Sequence, residues 1–480
     1  MHKAAAVLHK NAENHCLEQV FLLLSRQSQE DRSMIVMKFG GSSVADADRI
    51  RHVAGIVKDV LNKKPTLVLS AMGDTTDHLL DAGAAALKGI VSVDQVEALH
   101  RRTAADLGLP ADFVEAEIVP LLTELKSLLI GISLIKELTG RTRDYLVSFG
   151  ERLSVRVAAA HFRSLGIDAR AFDAWDAGFR SDSNFTSAEL LEETYASVKA
   201  VLSPLAAFGT LPVVTGFIAK DAEGNITTLG RGGSDLTATV IGAAIGAEEV
   251  QVWKDVDGIL TADPRVVKEA TPVEAVTYEE AAELAYFGAQ VLHPRSMQPC
   301  IRSGTTVRVK NSYNPPALGT RIVAALDSKA GPVRALTSKK NVTVVDIVST
   351  RMLGQHGFLA RAFAAFEAHK ISVDMVATSE VSISLTLDTA HDLAALKRDL
   401  EKIASVEIKK GKAIVTIIGQ VSRSSEILAE AFGVCAKLGV NVQMISQGAS
   451  KVNISFIVDD SQSADVVRAL HAAFFGGKRA

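Results

Sequence analysis

Two glycine clusters stand where phosphate chemistry would need them. Gly40-Gly41-Ser42-Ser43 follows an apolar run ending in Lys38-Phe39, and Gly230-Arg231-Gly232-Gly233-Ser234-Asp235 precedes an apolar stretch, Leu236 to Ala244, that reads as a helix. Glycines let successive backbone N–H groups point one way, and a helix N-terminus adds a favourable dipole, so each cluster suits phosphate oxygens. A single Gly-Gly turn is ordinary turn chemistry. Two of them, one led by Lys38 and the other carrying Arg231, point to a phosphate-binding site. No GxxxxGK[ST] string occurs and no GxGxxG follows a strand, which excludes a P-loop and a Rossmann dinucleotide site.

Other polar residues gather around these loops. Glu151 follows Ser148-Phe149-Gly150 and reads as a carboxylate at a helix start, set against the dipole, or as a ligand contact. Asp255 and Asp257 follow a strand ending at Trp253, and Asp263-Pro264-Arg265 closes the same loop. His293 before Pro294 reads as structural. No Ser-His-Asp arrangement is legible.

These residues need a scaffold, and the pattern from Ile35 onward is α/β: short apolar runs, glycine turns, then helical stretches. Strands are predicted at Ile35 to Phe39, Thr66 to Ser70, Pro212 to Phe217 and Val250 to Trp253. The runs are apolar without alternation, so both faces must be covered, which means a largely parallel sheet between helices. A loose segment from Asn311 to Lys329, with Pro315-Pro316 and Gly319, marks the main boundary.

Beyond about Lys339 the chain repeats itself. Leu359, Phe363 and Met375 recur 69 residues later as Leu428, Phe432 and Met444, and each copy reads as strand, helix, two strands, helix. A βαββα unit this small is expected to pair with its twin or with another subunit to bury its edges. The expected division is an extension at 1–33, a catalytic domain at 34–325, and repeat units at 340–410 and 411–480.

Composition sets the outer limits. A length of 480 residues suggests about three domains, and 48% apolar with 22% charged residues excludes a mostly disordered chain. Lys plus Arg number 52 against 55 Asp plus Glu, so no basic excess points to nucleic acid. No apolar run reads as long enough to span a bilayer. Cys16, Cys300 and Cys435 are scattered without CxxC spacing, against a disulfide framework or a thiolate metal site. The first 33 residues balance Glu13, Glu18, Glu30 and Asp31 against four basic residues, a poor fit to an organelle transit peptide and a better one to a short helix or leader remnant.

Lys38-Phe39-Gly40-Gly41-Ser42-Ser43-Val44, Ser148-Phe149-Gly150-Glu151, Thr228 to Asp235, and Phe287-Gly288-Ala289-Gln290-Val291-Leu292-His293-Pro294 closely resemble aspartate kinase (aspartokinase) from about Ile35 to the C-terminus. Val252 to Gly258 and Met444 to Ser450 look most like the monofunctional plant-type branch, and no stretch of dehydrogenase size follows the repeat. The resemblance implies an amino-acid-kinase (carbamate kinase-like) αβα sandwich followed by two α+β ACT units. It implies phosphoryl transfer from ATP, with Mg2+, to the β-carboxylate of L-aspartate. That carboxylate is already ionised at neutral pH, so positioning and charge neutralisation would suffice, with no general base.

On that resemblance Lys38 balances phosphoryl charge, Asp235 orients Lys38 or a metal-bound water, and Arg231 grips the substrate α-carboxylate. Glu151 accepts the α-ammonium, and Ser70 and Thr76 line the substrate pocket. Gly40, Gly41 and Ser42 hold phosphate oxygens, while Lys254, Asp255, Arg265 and Gln290 fall on the nucleotide side; no protein metal ligand is assigned. Many relatives carry lysine at Gln290 and threonine at Lys254, so Lys254 is expected to supply the charge that Gln290 cannot.

Inhibitory lysine is implied between ACT units at Met352, Phe358, Leu359, Ser372, Val373 and Asp374, with Thr378, Ser379 and Glu380 across the interface. Asp374 and Glu380 belong to the first copy alone, since Gln443 replaces the aspartate in the second. A homodimer through the ACT units is expected, S-adenosylmethionine acts in some plant-type relatives, and the compartment would be plastid stroma in a plant or alga and otherwise cytoplasm. A kinase of the same fold acting on glutamate or N-acetylglutamate, and a silent amino-acid sensor, are the competing readings. Glu151 counts against an N-acylated substrate, and intact Lys38, Arg231 and Asp235 count against a sensor.

Overall fold

The structure is a computed structural model that describes residues 34–287, 292–326, 331–349, 356–388, 393–420, 424–447 and 452–476. It divides into two compact units, one taking the chain to Asp257 together with Leu292–Ala324, the other Gly258–Val291 and Ala325–Ala480.

The first unit is built on a sheet of β1 (Ile35–Phe39), β2 (Thr66–Leu69), β3 (Ala169–Phe172), β4 (Leu211–Thr215), β7 (Glu249–Lys254), β8 (Thr306–Asn311) and β9 (Thr320–Val323), with β5 (Ile218–Lys220) and β6 (Ile226–Thr228) forming a separate hairpin. The order is β3-β4-β2-β1-β7-β8-β9, parallel throughout except for the antiparallel β8–β9 pair. β1 lies inside, every residue buried, with Lys38 in register with Val68 on one side and Val252 on the other. Because β1, β2, β4 and β7 run the same way, the loops after them gather along one edge, the place where open α/β sheets bind ligands.

Helices cover both faces: α1 (Ala47–Lys58), α2 (Thr75–Leu87), α3 (Gly140–Ser164), α4 (Gly233–Ile245) and α5 (Pro294–Ser303). Gly150 brings α3 against the β2 loop, since a Cβ there would lie 2.7 Å from the Ala71 side chain. Two expectations are corrected here. Glu151 does not start a helix; it sits in the middle of the 25-residue α3 and is buried. A helical stretch, Ala111–Ile135, is long and apolar enough to cross a bilayer, with mean hydropathy 1.8. One stripe of it, including Leu121, Leu125, Leu129 and Ile132, packs into the core of this unit.

The second unit carries the repeat. Its strands are β10 (Val333–Val348), β11 (Val376–Thr378), β12 (Ser382–Asp388), β13 (Ser405–Gly419), β14 (Met444–Ser446) and β15 (Asn453–Asp459), and its helices α6 (Phe358–Ala368), α7 (Leu393–Leu400), α8 (Ser424–Lys437) and α9 (Asp460–Phe475). Each copy is βαββα, and the two join edge to edge in one sheet of order β11-β12-β10-β13-β15-β14 through antiparallel β10–β13 pairing. Each copy keeps its own core, around Phe358, Phe366 and Leu396 in the first and Ile427, Phe456 and Val467 in the second. Met375 and Met444, equivalent in the repeat, meet in a third cluster. Leu359 and Phe363, by contrast, stay 44% and 37% exposed on α6.

Candidate active site

Lys38, next to the end of β1, faces Asp235 of the first turn of α4, with Nζ 2.7 Å from Oδ1. Lys254, at the end of β7, reaches the other oxygen at 3.5 Å. Asp235 is buried, which by itself would raise its pKa; the charges of Lys38 and Lys254 overcome that and hold it below the usual carboxylate range. Burial lowers the Lys254 ammonium in turn, with Asp235 opposing. A carboxylate shared by two lysines leaves a net positive charge at the meeting point of three elements.

That charge opens onto a cavity of about 390 Å³ whose walls include Lys38, Gly41, Ser70, Thr76, Glu151, Arg231 and the glycines 230, 232 and 233. The two glycine loops therefore share one cavity. Gly41 is required there, because a Cβ would lie 2.8 Å from the Ala71 carbonyl oxygen. Gly232 caps α4 in the left-handed conformation, φ 74°, a backbone that suits glycine, and the Gly233 N–H turns back to the Gly230 carbonyl at 3.0 Å.

Glu151 is the other buried carboxyl of the cavity. Burial pushes its carboxyl up to about 8, against a hydrogen bond from the Ala71 N–H at 3.2 Å and the charge of Lys38. Its Oε2 is buried without a hydrogen-bond partner among the described residues. A buried carboxylate with one unused oxygen beside a cavity is built to receive a donor, and a cationic donor would restore the ionised form.

The remaining sequence candidates divide. Ser70 lines the cavity and donates to the Ser234 hydroxyl at 3.1 Å. Gly40 and the exposed Ser42 are not among the cavity walls. Asp255 is exposed. Arg265 belongs to the second unit and is spent on Asp263 at 2.7 Å. Gln290 lies outside the described residues. His293 caps α5, its Nδ1 accepting from the Arg295 N–H.

Sequence reading missed several supports. Phe217 lines the cavity with φ 72°, an unusual backbone for an aromatic residue, held where its N–H donates to the Thr237 hydroxyl. Asp144 accepts from the N–H groups of Thr186 and Thr228 and from the Thr228 hydroxyl, fixing the strand that leads into Gly230. Neither carries a local motif, so only the fold reveals them.

In the repeat unit, Asp374 is occupied. Lys339 lies 2.6 Å from one carboxylate oxygen and the Tyr286 hydroxyl donates to the other at 2.7 Å. Ser372, Thr378, Ser379 and Glu380 are exposed, Val373 is half-buried, Phe358 is buried, and Met352 lies outside the described residues.

This parallel sheet, with glycine loops at one edge and a βαββα pair behind it in sequence, defines an amino acid kinase followed by a two-copy α+β module. The profile of the amino acid kinase family matches residues 33–311 and that of an ACT domain matches 345–398 and 415–474. Chloroplastic aspartokinase 1 of Arabidopsis thaliana is 52% identical over 92% of this chain and 80% of its own length. Lysine-sensitive aspartokinase 3 of Escherichia coli is 36% identical over 92% and 99%. The structure of E. coli aspartokinase III in complex with aspartate and ADP superposes with a TM-score of 0.75 at 35% identity, over 92% of this chain and 100% of that one; the form with lysine and aspartate gives 0.76. The chain belongs to the aspartokinase family and is an ATP-using aspartate kinase, an enzyme of amino-acid biosynthesis.

Proposed function

We propose that the cavity around Lys38 and Glu151 transfers the γ-phosphoryl group of ATP to the β-carboxylate of L-aspartate, giving 4-phospho-L-aspartate and ADP. The observation that carries this reading is the buried, unpartnered Oε2 of Glu151 in the same cavity as the Lys38–Asp235 pair. Glu151 accepts the α-ammonium, and Arg231, exposed at the cavity wall, takes the α-carboxylate through two parallel N–H donors. The β-carboxylate then points toward Lys38. Gly41 and the first turn of α4 offer backbone N–H groups to phosphate oxygens, and Lys254 adds charge on the nucleotide side. The β-carboxylate is already a nucleophile, so these residues need only orient the partners and offset charge as it spreads over the transferring group. No base is required.

Among the described residues no three acids, histidines or cysteines form a metal cluster, and Asp235 is committed to two lysines. Mg2+ keeps several waters and binds such sites largely through phosphate oxygens, so it does not require a cage of protein ligands. We assign it no step.

Lysine feedback fits the ACT pair. Asp374, with Ser372 and Val373, offers an anion beside backbone donors, and Phe358, buried in the first core, would contribute its N–H at the start of α6. Inhibition requires a coupling of only about 1–3 kcal/mol between effector and substrate. The exposed Leu359 and Phe363 stripe and the edge strand β11, with Val376 38% exposed, suit a homodimer that places Thr378, Ser379 and Glu380 of the partner subunit beside Asp374. Lysine, threonine and methionine biosynthesis is the pathway this step would open, and chloroplastic relatives favour a plastid if the source is a plant or alga. S-adenosylmethionine as a second effector has no assigned contacts. A coupled assay of ADP release with aspartate and then glutamate, each with and without lysine, tests the reading. Turnover with aspartate, suppressed by lysine, is expected; faster turnover with glutamate refutes the substrate assignment.

A further inference from the structure

A second cavity of about 450 Å³ lies in the first unit beside α3, walled by Arg141, Arg152, Lys220, Trp175, Tyr145 and Glu124 among others. It collects three cations against one carboxylate. That carboxylate is already used, since Glu124 accepts from the Tyr145 hydroxyl and from Arg152 Nη2 at 3.3 Å. Arg152 is only 9% exposed; Asp173 approaches its Nε at 3.5 Å, and its Nη1 has no hydrogen-bond partner among the described residues. A buried guanidinium N–H without an acceptor is costly, and a guanidinium presents its donors in a planar fork that matches an oxyanion. The Lys220 ammonium stands 4.3 Å over the Trp175 ring, desolvated on that side and open toward the cavity. Arg141 contributes from the first turn of α3, where the helix dipole adds to its charge.

We propose that this cavity binds the phosphate or carboxylate group of a small metabolite, with Arg152 as its floor and Lys220 and Arg141 as its flanks. Glu151 and Arg152 are consecutive on α3, so one helical turn serves both this cavity and the one that holds Lys38. The site is separate from the aspartate and nucleotide positions assigned above and does not depend on them.

The test uses the protein's own fluorescence. Trp175 and Trp253 are its two tryptophans, so Trp253→Phe, which keeps an aromatic ring against Phe39, leaves Trp175 as the sole indole. Titrating the full-length W253F enzyme with sodium phosphate and separately with sodium succinate, at matched ionic strength, should give a saturable change in Trp175 emission, half-complete at about millimolar concentration. Adding Lys220→Ala or Arg141→Ala should raise the half-saturation point at least about tenfold while leaving Arg152 and its fold contacts intact. Response to phosphate alone or succinate alone identifies which oxyanion the cavity takes. No saturable response to either anion overturns the site, as does a response of equal midpoint in W253F and in both charge-deleted variants.

Discussion

Lys339 holds Asp374, the acid that the sequence offers to a free lysine: the two groups lie 2.6 Å apart and the Asp374 side chain is only 5% exposed. A free ammonium reaching this carboxylate has to displace one that belongs to the chain. Lys339→Met should therefore lower the half-inhibitory lysine concentration by at least about threefold, and Asp374→Ala should raise it by at least about tenfold. Turnover without lysine should stay within about twofold of wild type in both. Unchanged lysine inhibition curves for both variants reject the site.

With Glu151 as the proposed acceptor of the α-ammonium, aspartate use should depend on its ionisation. Its carboxyl, raised to about 8 by burial, is protonated in the free enzyme at neutral pH. An arriving ammonium needs the ionised form, so kcat/KM for aspartate should climb toward pH 8 and then level. Glu151→Gln should flatten that climb and raise the aspartate KM at least about tenfold, with the ATP KM little changed.

The same shift has a stability consequence of fixed sign. Between the ordinary carboxyl pKa of 4.5 and about 8 the folded chain keeps a proton at Glu151 that the unfolded chain has lost. Its contribution to stability is full below about pH 4.5 and lost by about pH 8. Thermal melts of Glu151→Gln and wild type should diverge in favour of the variant as pH rises across that window; a constant difference contradicts the burial argument.

Much of the first unit was legible because its signals are local. The apolar run at Ile35 to Phe39 and the glycines at 40 and 41 specify a buried parallel strand and its turn, and the strand is found at those residues. The cluster at 230–235 likewise opens a helix, one that begins at Gly233. The sequence pattern puts Glu151 at a helix start, whereas the helix runs through Gly150 from Gly140 to Ser164; Gly150 marks no end. It is instead a contact point where α3 meets Ala71. The β10–β13 pairing, the occupancy of Asp374 by Lys339 and the apolar length of Ala111–Ile135 depend on which distant segments meet or on summed hydropathy, which motif reading does not weigh.

Lys254 reaches Asp235 from β7 at 3.5 Å and adds the second positive charge there. Lys254→Thr should raise the ATP KM about fivefold or more while the aspartate KM stays nearly constant. An unchanged ATP KM would show that this lysine serves only the buried ion pair.

Gly41 touches backbone, which cannot step aside. Gly41→Ala would press its new methyl carbon to within 2.8 Å of the Ala71 oxygen, on the residue whose N–H serves Glu151. Loss of at least about a hundredfold in kcat/KM is expected, since small misplacements at the reacting centre are that costly. Gly55→Ala in α1, with open space around it, should instead be neutral or stabilise by up to about 1 kcal/mol.

The most direct measurement is steady-state kinetics of Lys38→Met beside Arg231→Ala, with both substrates varied. Lys38→Met should lose about a thousandfold in kcat with modest change in either KM, the signature of charge stabilisation confined to the transition state. Arg231→Ala should raise the aspartate KM and leave the ATP KM nearly alone. A Lys38→Met enzyme within about tenfold of wild-type kcat, or an Arg231→Ala enzyme impaired only toward ATP, would contradict the assignment of one shared cavity to phosphate and aspartate together.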